Sequence, residues 1–268
     1  MQSRVAVEVA DGVAEVRLNR PDKLNALDET MFGELIEAGL SLTANSSVRA
    51  AVISGEGRAF CAGLDLASFQ AMGGQGVQVG DAASRLIERS HGPASRVQFA
   101  VWVWREAPFP VIAAVHGQAL GGGFQLMLGA DLRFVAPDAQ LAILEIKWGL
   151  IPDMAGTQLL RRLAPEDVIR ELTYTGRLFS GVEAKALGLA TRVCDDPRAE
   201  ALAVARRIAG HSPDAIRAAK RLYNAAPYHG LAEGLALEAF EQSRLLGASN
   251  QREAVAAALE KRTPNFTD

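Results

Sequence analysis

The chain has 268 residues, 49% of them hydrophobic and 22% charged, which is ordinary globular material long enough for one large domain or two small ones. A formal net charge of −3 and the lack of any compact Lys/Arg run argue against nucleic-acid binding, including RNA binding. The N-terminal segment MQSRVAVEVADG has no long apolar stretch, no window approaches the ~18 apolar residues of a membrane span, and the two cysteines, Cys61 and Cys194, form no CxxC or His/Cys cluster. A soluble protein of a reducing, cytoplasmic compartment is therefore expected, with no metal centre.

In chain order, residues 4–18 alternate apolar and polar around Asp11-Gly12 and predict a β-hairpin. Asp28 stands where it can cap a helix carrying Met31, Leu35, Ala38 and Leu42 at helical spacing. Arg49 to Ser54 and Pro110 to His116 read as buried strands, each followed by a helix, with shorter strands near Leu132 to Ala136 and Gln140 to Ile143. Repeated strand, turn and helix units predict parallel pairing. Between Ser68 and Ala107 the rhythm breaks: Met72 to Asp81 is Gly-rich without an apolar period and reads as a mobile loop, and the segment with Phe99, Trp102 and Trp104 reads as a helix.

Beyond Gly156 the chain turns helical. Ser180-Gly-Val-Glu183 is a capping box, Ser212 can cap a helix with Pro213 at its first position, and helices are predicted over Pro197 to Gly210, Pro213 to Asn224 and Leu231 to Leu246. No linker separates the parts. One α/β domain is expected, with a core over 1–195 and a helical C-terminal region over 196–268.

The chemistry-bearing features are two glycine turns at strand ends. Gly121, Gly122 and Gly123 follow Val111 to Leu120 and open an apolar helix, while Ala51 to Leu66 runs through glycines into Ala62-Gly-Leu-Asp65. Either turn alone is equally an ordinary strand-to-helix turn. Together they offer two backbone N–H groups, which is what an oxyanion hole requires.

Six blocks, Arg20-Pro-Asp-Lys-Leu-Asn-Ala-Leu27, Ala59 to Leu66, Val115 to Phe124, Glu145 to Pro152, Ala155-Gly-Thr-Gln158 and Glu260-Lys-Arg262, occur in the order found in the crotonase, or enoyl-CoA hydratase/isomerase, superfamily, which the chain resembles over nearly its whole length. The resemblance implies a crotonase-like (ClpP/crotonase) α/β spiral of ββα units, with a helical C-terminal region that builds homotrimers or hexamers. It also implies an acyl-CoA thioester substrate, with coenzyme A entering as part of the substrate and no further cofactor. The oxyanion N–H groups transfer to Leu64 and Gly122. Main-chain contacts to CoA transfer to Lys23, Leu24 and Ala62, with Asp65 and Leu66 in the same turn. Lys261 is a candidate for the CoA phosphates, as is Lys23. Read as residues, the two lysines are equally surface charges, and Asp65 equally caps the helix after its turn.

Hydratases of this family use two carboxylates. One transfers to Glu145, but the position of the other is Gln125, which cannot exchange a proton. A single acid suffices to move a proton between two carbons of an enolate, so double-bond isomerisation with Glu145 as proton carrier is favoured. Water addition to a trans-2-enoyl-CoA is the alternative, followed by acyl-CoA decarboxylation; an acyl-CoA-binding homologue with little turnover is a reading of another class. Asp153, eight residues after Glu145, resembles the second acid of dienoyl-CoA isomerases. It also reads as a cap for a helix beginning near Ala155. His91, His116, His211 and His229 have no ligand-like spacing, and Cys61 reads as a small buried thiol.

Overall fold

The computed structural model describes residues 3–65 and 86–268. The predicted hairpin is β1 (Val5–Ala10) and β2 (Val13–Leu18), paired antiparallel from Val5 with Leu18 to Ala10 with Val13. Both turn residues, Asp11 and Gly12, have positive φ (50° and 76°), the geometry that matches the twist of a two-residue hairpin. Helix α1 (Glu29–Ala44) starts at Asp28, whose Oδ1 accepts the Met31 N–H at 2.8 Å, and it buries Met31, Leu35, Ala38 and Leu42 as the spacing predicts.

The chain continues through β3 (Ala50–Gly55), α2 (Arg96–Glu106), β4 (Val111–Val115), β5 (Gln118–Leu120), α3 (Gly122–Leu128), β6 (Leu132–Val135) and β7 (Gln140–Ala142). The short strand β5 lies between β4 and the three glycines. The Gly-rich stretch Met72 to Asp81 and the helix expected directly after Asp65 lie outside the described residues. Then come α4 (Gly156–Leu160), α5 (Glu166–Thr175), β8 (Phe179–Ser180), α6 (Gly181–Ala186), β9 (Arg192–Val193), α7 (Pro197–Ala209), α8 (Pro213–Ala225), α9 (Leu231–Leu245) and α10 (Ser249–Glu260). At α6 the capping box is half built: Ser180 Oγ accepts the Glu183 N–H at 3.1 Å, but the Glu183 carboxylate pairs with Arg177 instead.

Six strands form one sheet in the order β1-β2-β3-β4-β6-β9, parallel after the first hairpin, and β5-β7-β8 form a second, smaller sheet. Strands β3 and β4 are buried at every residue, so their alternating side chains feed two cores. Ala51, Ile53, Val111, Ala113 and Val115 face the larger one with α1 to α3. Ala50, Val52, Ile112 and Ala114 face α7, which approaches through Ala201, Ala205 and Ala209 at i, i+4 spacing. The helical C-terminal region thus begins with a helix that covers the sheet. No helix among the described residues is long and apolar enough to cross a membrane.

Helix α8 is fastened by a buried charge. Lys220 Nζ donates to the carbonyls of Trp104 (3.2 Å) and Phe109 (2.7 Å) and to Asp131 Oδ2 (2.8 Å), and Asp131 also accepts the Val111 N–H at 2.8 Å. Removing one partner of a buried pair leaves the other uncompensated, so Lys220→Met is expected to lower the unfolding free energy by about 3 kcal/mol in urea titration.

Candidate active site

The block Arg20 to Leu27 is a clamp. Asn25 is fully buried at φ 56°, accepts the Arg20 N–H at 2.8 Å, and donates to the carbonyls of Glu56 (2.9 Å) and Ala59 (2.8 Å). This holds Leu27 against the first glycine turn, where the Leu27 N–H reaches Gly63 O at 2.8 Å and the Asp65 N–H reaches Leu27 O at 3.0 Å. In a parallel bridge a residue bonds to the groups on either side of its opposite number. Leu64, the opposite number, therefore keeps its own N–H, directed away from Leu27. Arg20 also pairs with Asp65 at 2.5 Å and donates to Ala26 O at 3.1 Å, so Asp65 pins this turn to the clamp. Arg20 and Asn25 were visible in the sequence as a block, but their positioning roles depend on partners some thirty to forty-five residues away.

The second turn is laid against the first. Cys61 pairs with β5 through Cys61 N–H to Gln118 O (2.9 Å) and Leu120 N–H to Cys61 O (3.1 Å). Gly63, at φ 90°, has no room for a side chain: a Cβ there would lie 2.6 Å from Leu120 O and 3.6 Å from Gly122 N. Gly122 is the first residue of α3, where N–H groups have no intrahelical acceptor. The Leu64 and Gly122 amides thus come from turns in mutual contact, and two such donors can hold one oxygen that gains negative charge.

Glu145 follows β7 and opens a single helical turn closed by Gly149 in the left-handed conformation. Its carboxylate packs over Gly121, whose N–H is held by Ala142 O at 3.0 Å. The side chain is buried and has no ion-pair partner among the described residues. Gln125, on α3, meets it: Nε2 donates to Glu145 Oε1 at 2.7 Å. The amide cannot turn round, because its Oε1 accepts the N–H of Met154 at 2.8 Å and of Gly156 at 2.9 Å. These two donors flank Ala155, which is held at φ 67°, a region non-glycine residues seldom adopt. Glu145 Oε2 is buried with no hydrogen-bond partner, leaving one acceptor of this network open to a proton. Burial raises the Glu145 carboxyl above the usual glutamate range; the Gln125 hydrogen bond works against this, and the Asp153 charge adds to it.

Asp153 is solvent-accessible, yet enough protein surrounds its carboxyl to raise it above the usual aspartate range. It is not the cap of α4. The residue at the cap position, Ala155, has no side chain for the task, and Gln125 satisfies the first N–H of the helix, that of Gly156, in its stead. Lys23 and Lys261 are exposed, and Leu24 is half-buried, with its carbonyl accepting the Ala62 N–H at 2.9 Å. Leu66 falls outside the described residues. Burial pushes the Cys61 thiol up to about 12, so it stays an inert core group. His116 donates through Nε2 to the Gly57 carbonyl at 2.9 Å, and His91 stacks on Phe99 at 4.3 Å.

Residues 8–268 match the family described as enoyl-CoA hydratase/isomerase. The human enoyl-CoA hydratase domain-containing protein 2, mitochondrial, is 33% identical, the match covering 99% of this chain and 89% of that one. The peroxisomal Delta(3,5)-Delta(2,4)-dienoyl-CoA isomerase of Arabidopsis thaliana is 33% identical, covering 93% of this chain and 90% of its own. The crystal structure of an enoyl-CoA hydratase from Bacillus anthracis superposes with a TM-score of 0.87 at 32% identity, covering 98% of both chains. This chain is a member of the enoyl-CoA hydratase/isomerase family of enzymes and has the crotonase fold.

Proposed function

We propose that the protein isomerises the double bond of an enoyl-CoA thioester through an enolate, with Glu145 as the group that carries the proton between the two carbons. The Glu145 carboxylate takes a proton from the carbon next to the thioester carbonyl. The electron pair of that C–H bond passes into an enolate, whose oxygen accepts the Leu64 and Gly122 N–H groups; such donors are each worth about 3 to 4 kcal/mol in the transition state. Where a β,γ double bond is conjugated to the enolate, charge spreads to the γ carbon. Glu145 returns the proton there, and the double bond ends conjugated to the carbonyl. Nothing is added or lost.

The observation that carries this reading is the Gln125 amide, locked in place by two backbone donors beside Glu145. It orients the acid and does not titrate, so a water between the two residues would find only one proton-transfer group. A mass-resolved assay over short 2-enoyl and 3-enoyl-CoA esters tests it. Isomerised product at unchanged mass supports the proposal; product heavier by one water, formed faster than isomer, overturns it in favour of hydration.

Lys23, Leu24 and Ala62 are proposed to meet the CoA nucleotide through main chain and charge, with Asp65 and Leu66 as further CoA contacts and Lys261 reaching the phosphates. Exposed Tyr223, Leu231, Leu235 and Leu259 on α8 to α10 support association into trimers. Asp153 is proposed as a helper acid that raises Glu145 by its charge and relays protons. Asp153→Asn should slow turnover about tenfold, and the acid limb of the pH–rate profile should move to lower pH because a like charge beside Glu145 is gone. Steady-state rates across pH check this.

A further inference from the structure

A cavity of about 340 Å³ opens between the end of α2, the turn after α4 and the end of α8. Three arginines line it, Arg105, Arg162 and Arg221, together with the aromatic rings of Trp102 and Tyr228. The carboxylate of Glu106 also lines it and accepts the Trp102 Nε1–H at 2.7 Å. None of these residues belongs to the turns around Glu145.

The three guanidinium groups are not equally served. Arg221 is held by both oxygens of Glu241, at 2.7 and 2.6 Å, and Arg105 faces Asp131 at 3.6 Å. Arg162 has no carboxylate partner among the described residues. Its guanidinium lies over the Tyr228 ring at 4.4 Å, and its Nε–H is buried without an acceptor. A buried donor of a charged group is costly to leave unpaired. Burial lowers the Arg105 guanidinium below the usual arginine range; Asp131 opposes this, and the Arg162 charge adds to it, so the two cations stand close enough to repel. One acceptor oxygen pair placed between them would satisfy the Arg162 fork and offset that repulsion.

We infer that this cavity, with the unpartnered Arg162 stacked on Tyr228 and Arg105 beside it, is a binding site for a single oxyanion group, a phosphate or a carboxylate. The planar fork of Arg162 matches either group, and Trp102 and Tyr228 line the cavity beside it. The group has two possible sources, a small anion in solution or an acidic side chain of a second copy of this chain.

The test uses the full chain and its Arg162→Gln variant. Each is titrated with inorganic phosphate and with citrate by calorimetry, and each is sedimented over a concentration series at low and high salt. Anion binding that weakens about tenfold or more in Arg162→Gln, with association unchanged, assigns the site to a small anion. Association that weakens about tenfold or more in the variant, and in the wild type at high salt, assigns it to a second copy. A variant that matches the wild type in both measurements overturns the inference. Circular dichroism checks folding. If Arg162→Gln does not fold, Arg162→Lys keeps the charge but lacks the fork and the Nε–H, and the same two losses are expected from it; their absence likewise overturns the site.

Discussion

Glu145→Gln is expected to lower turnover by about 10³-fold or more while leaving acyl-CoA binding within about twofold of wild type. The new amide oxygen can still accept the Gln125 Nε2–H that Glu145 Oε1 accepts at 2.7 Å, so the loop keeps its place and only the proton carrier is lost. The proposed oxyanion donors, the amides of Leu64 and Gly122, are main chain and remain. Steady-state rates with calorimetric binding of a non-reacting CoA ester decide it, and wild-type turnover in the variant would end the assignment. In the wild type the same chemistry has a pH signature. Glu145 must be ionised to take a proton, and burial raises its carboxyl, so activity should rise with pH through a midpoint above the ordinary glutamate range and be lost below it. Exchange of substrate C–H protons in deuterated water should follow the same limb.

Gln125→Glu is expected to raise the ratio of hydration to isomerisation of a short enoyl-CoA on the order of a hundredfold. One oxygen of the new carboxylate can keep the two hydrogen bonds to Met154 and Gly156, so the start of α4 stays capped. The other oxygen falls where an amide now donates to Glu145 at 2.7 Å. Two carboxylates at that distance cannot both ionise freely. They share a proton, one macroscopic pKa rises, and the acid limb of the profile moves to higher pH. The pair then has the base and the acid that water addition uses. A folded variant that binds the ester, shifts its pH profile and yet hydrates no faster would show that the acyl pocket, not position 125, selects the reaction.

The sequence by itself determined the elements whose signal is local. The hairpin at Asp11-Gly12, the cap at Asp28, the apolar runs of β3 and β4 and the start of α7 at Pro197 each depend on residues within a few positions, where periodicity and turn chemistry act directly. Gly121 to Gly123 and the order of the motif blocks likewise pointed, through the family resemblance, to Leu64, Gly122 and Glu145 as candidates. What only the tertiary structure decided rests on partners distant in sequence. The strands β5, β8 and β9 have two or three residues each, too few to show a period, and form because a neighbour supplies the ladder. The sequence could read Asp153 as a cap because aspartate suits that role locally. Gln125 takes it instead, from 31 residues before Gly156, and the same amide sets the orientation of Glu145. Arg162 has no local feature to separate it from Arg161; its place over Tyr228 arises when α8 folds back beside α2. In each case the deciding hydrogen bond or ring contact joins groups that only the packed chain brings within reach.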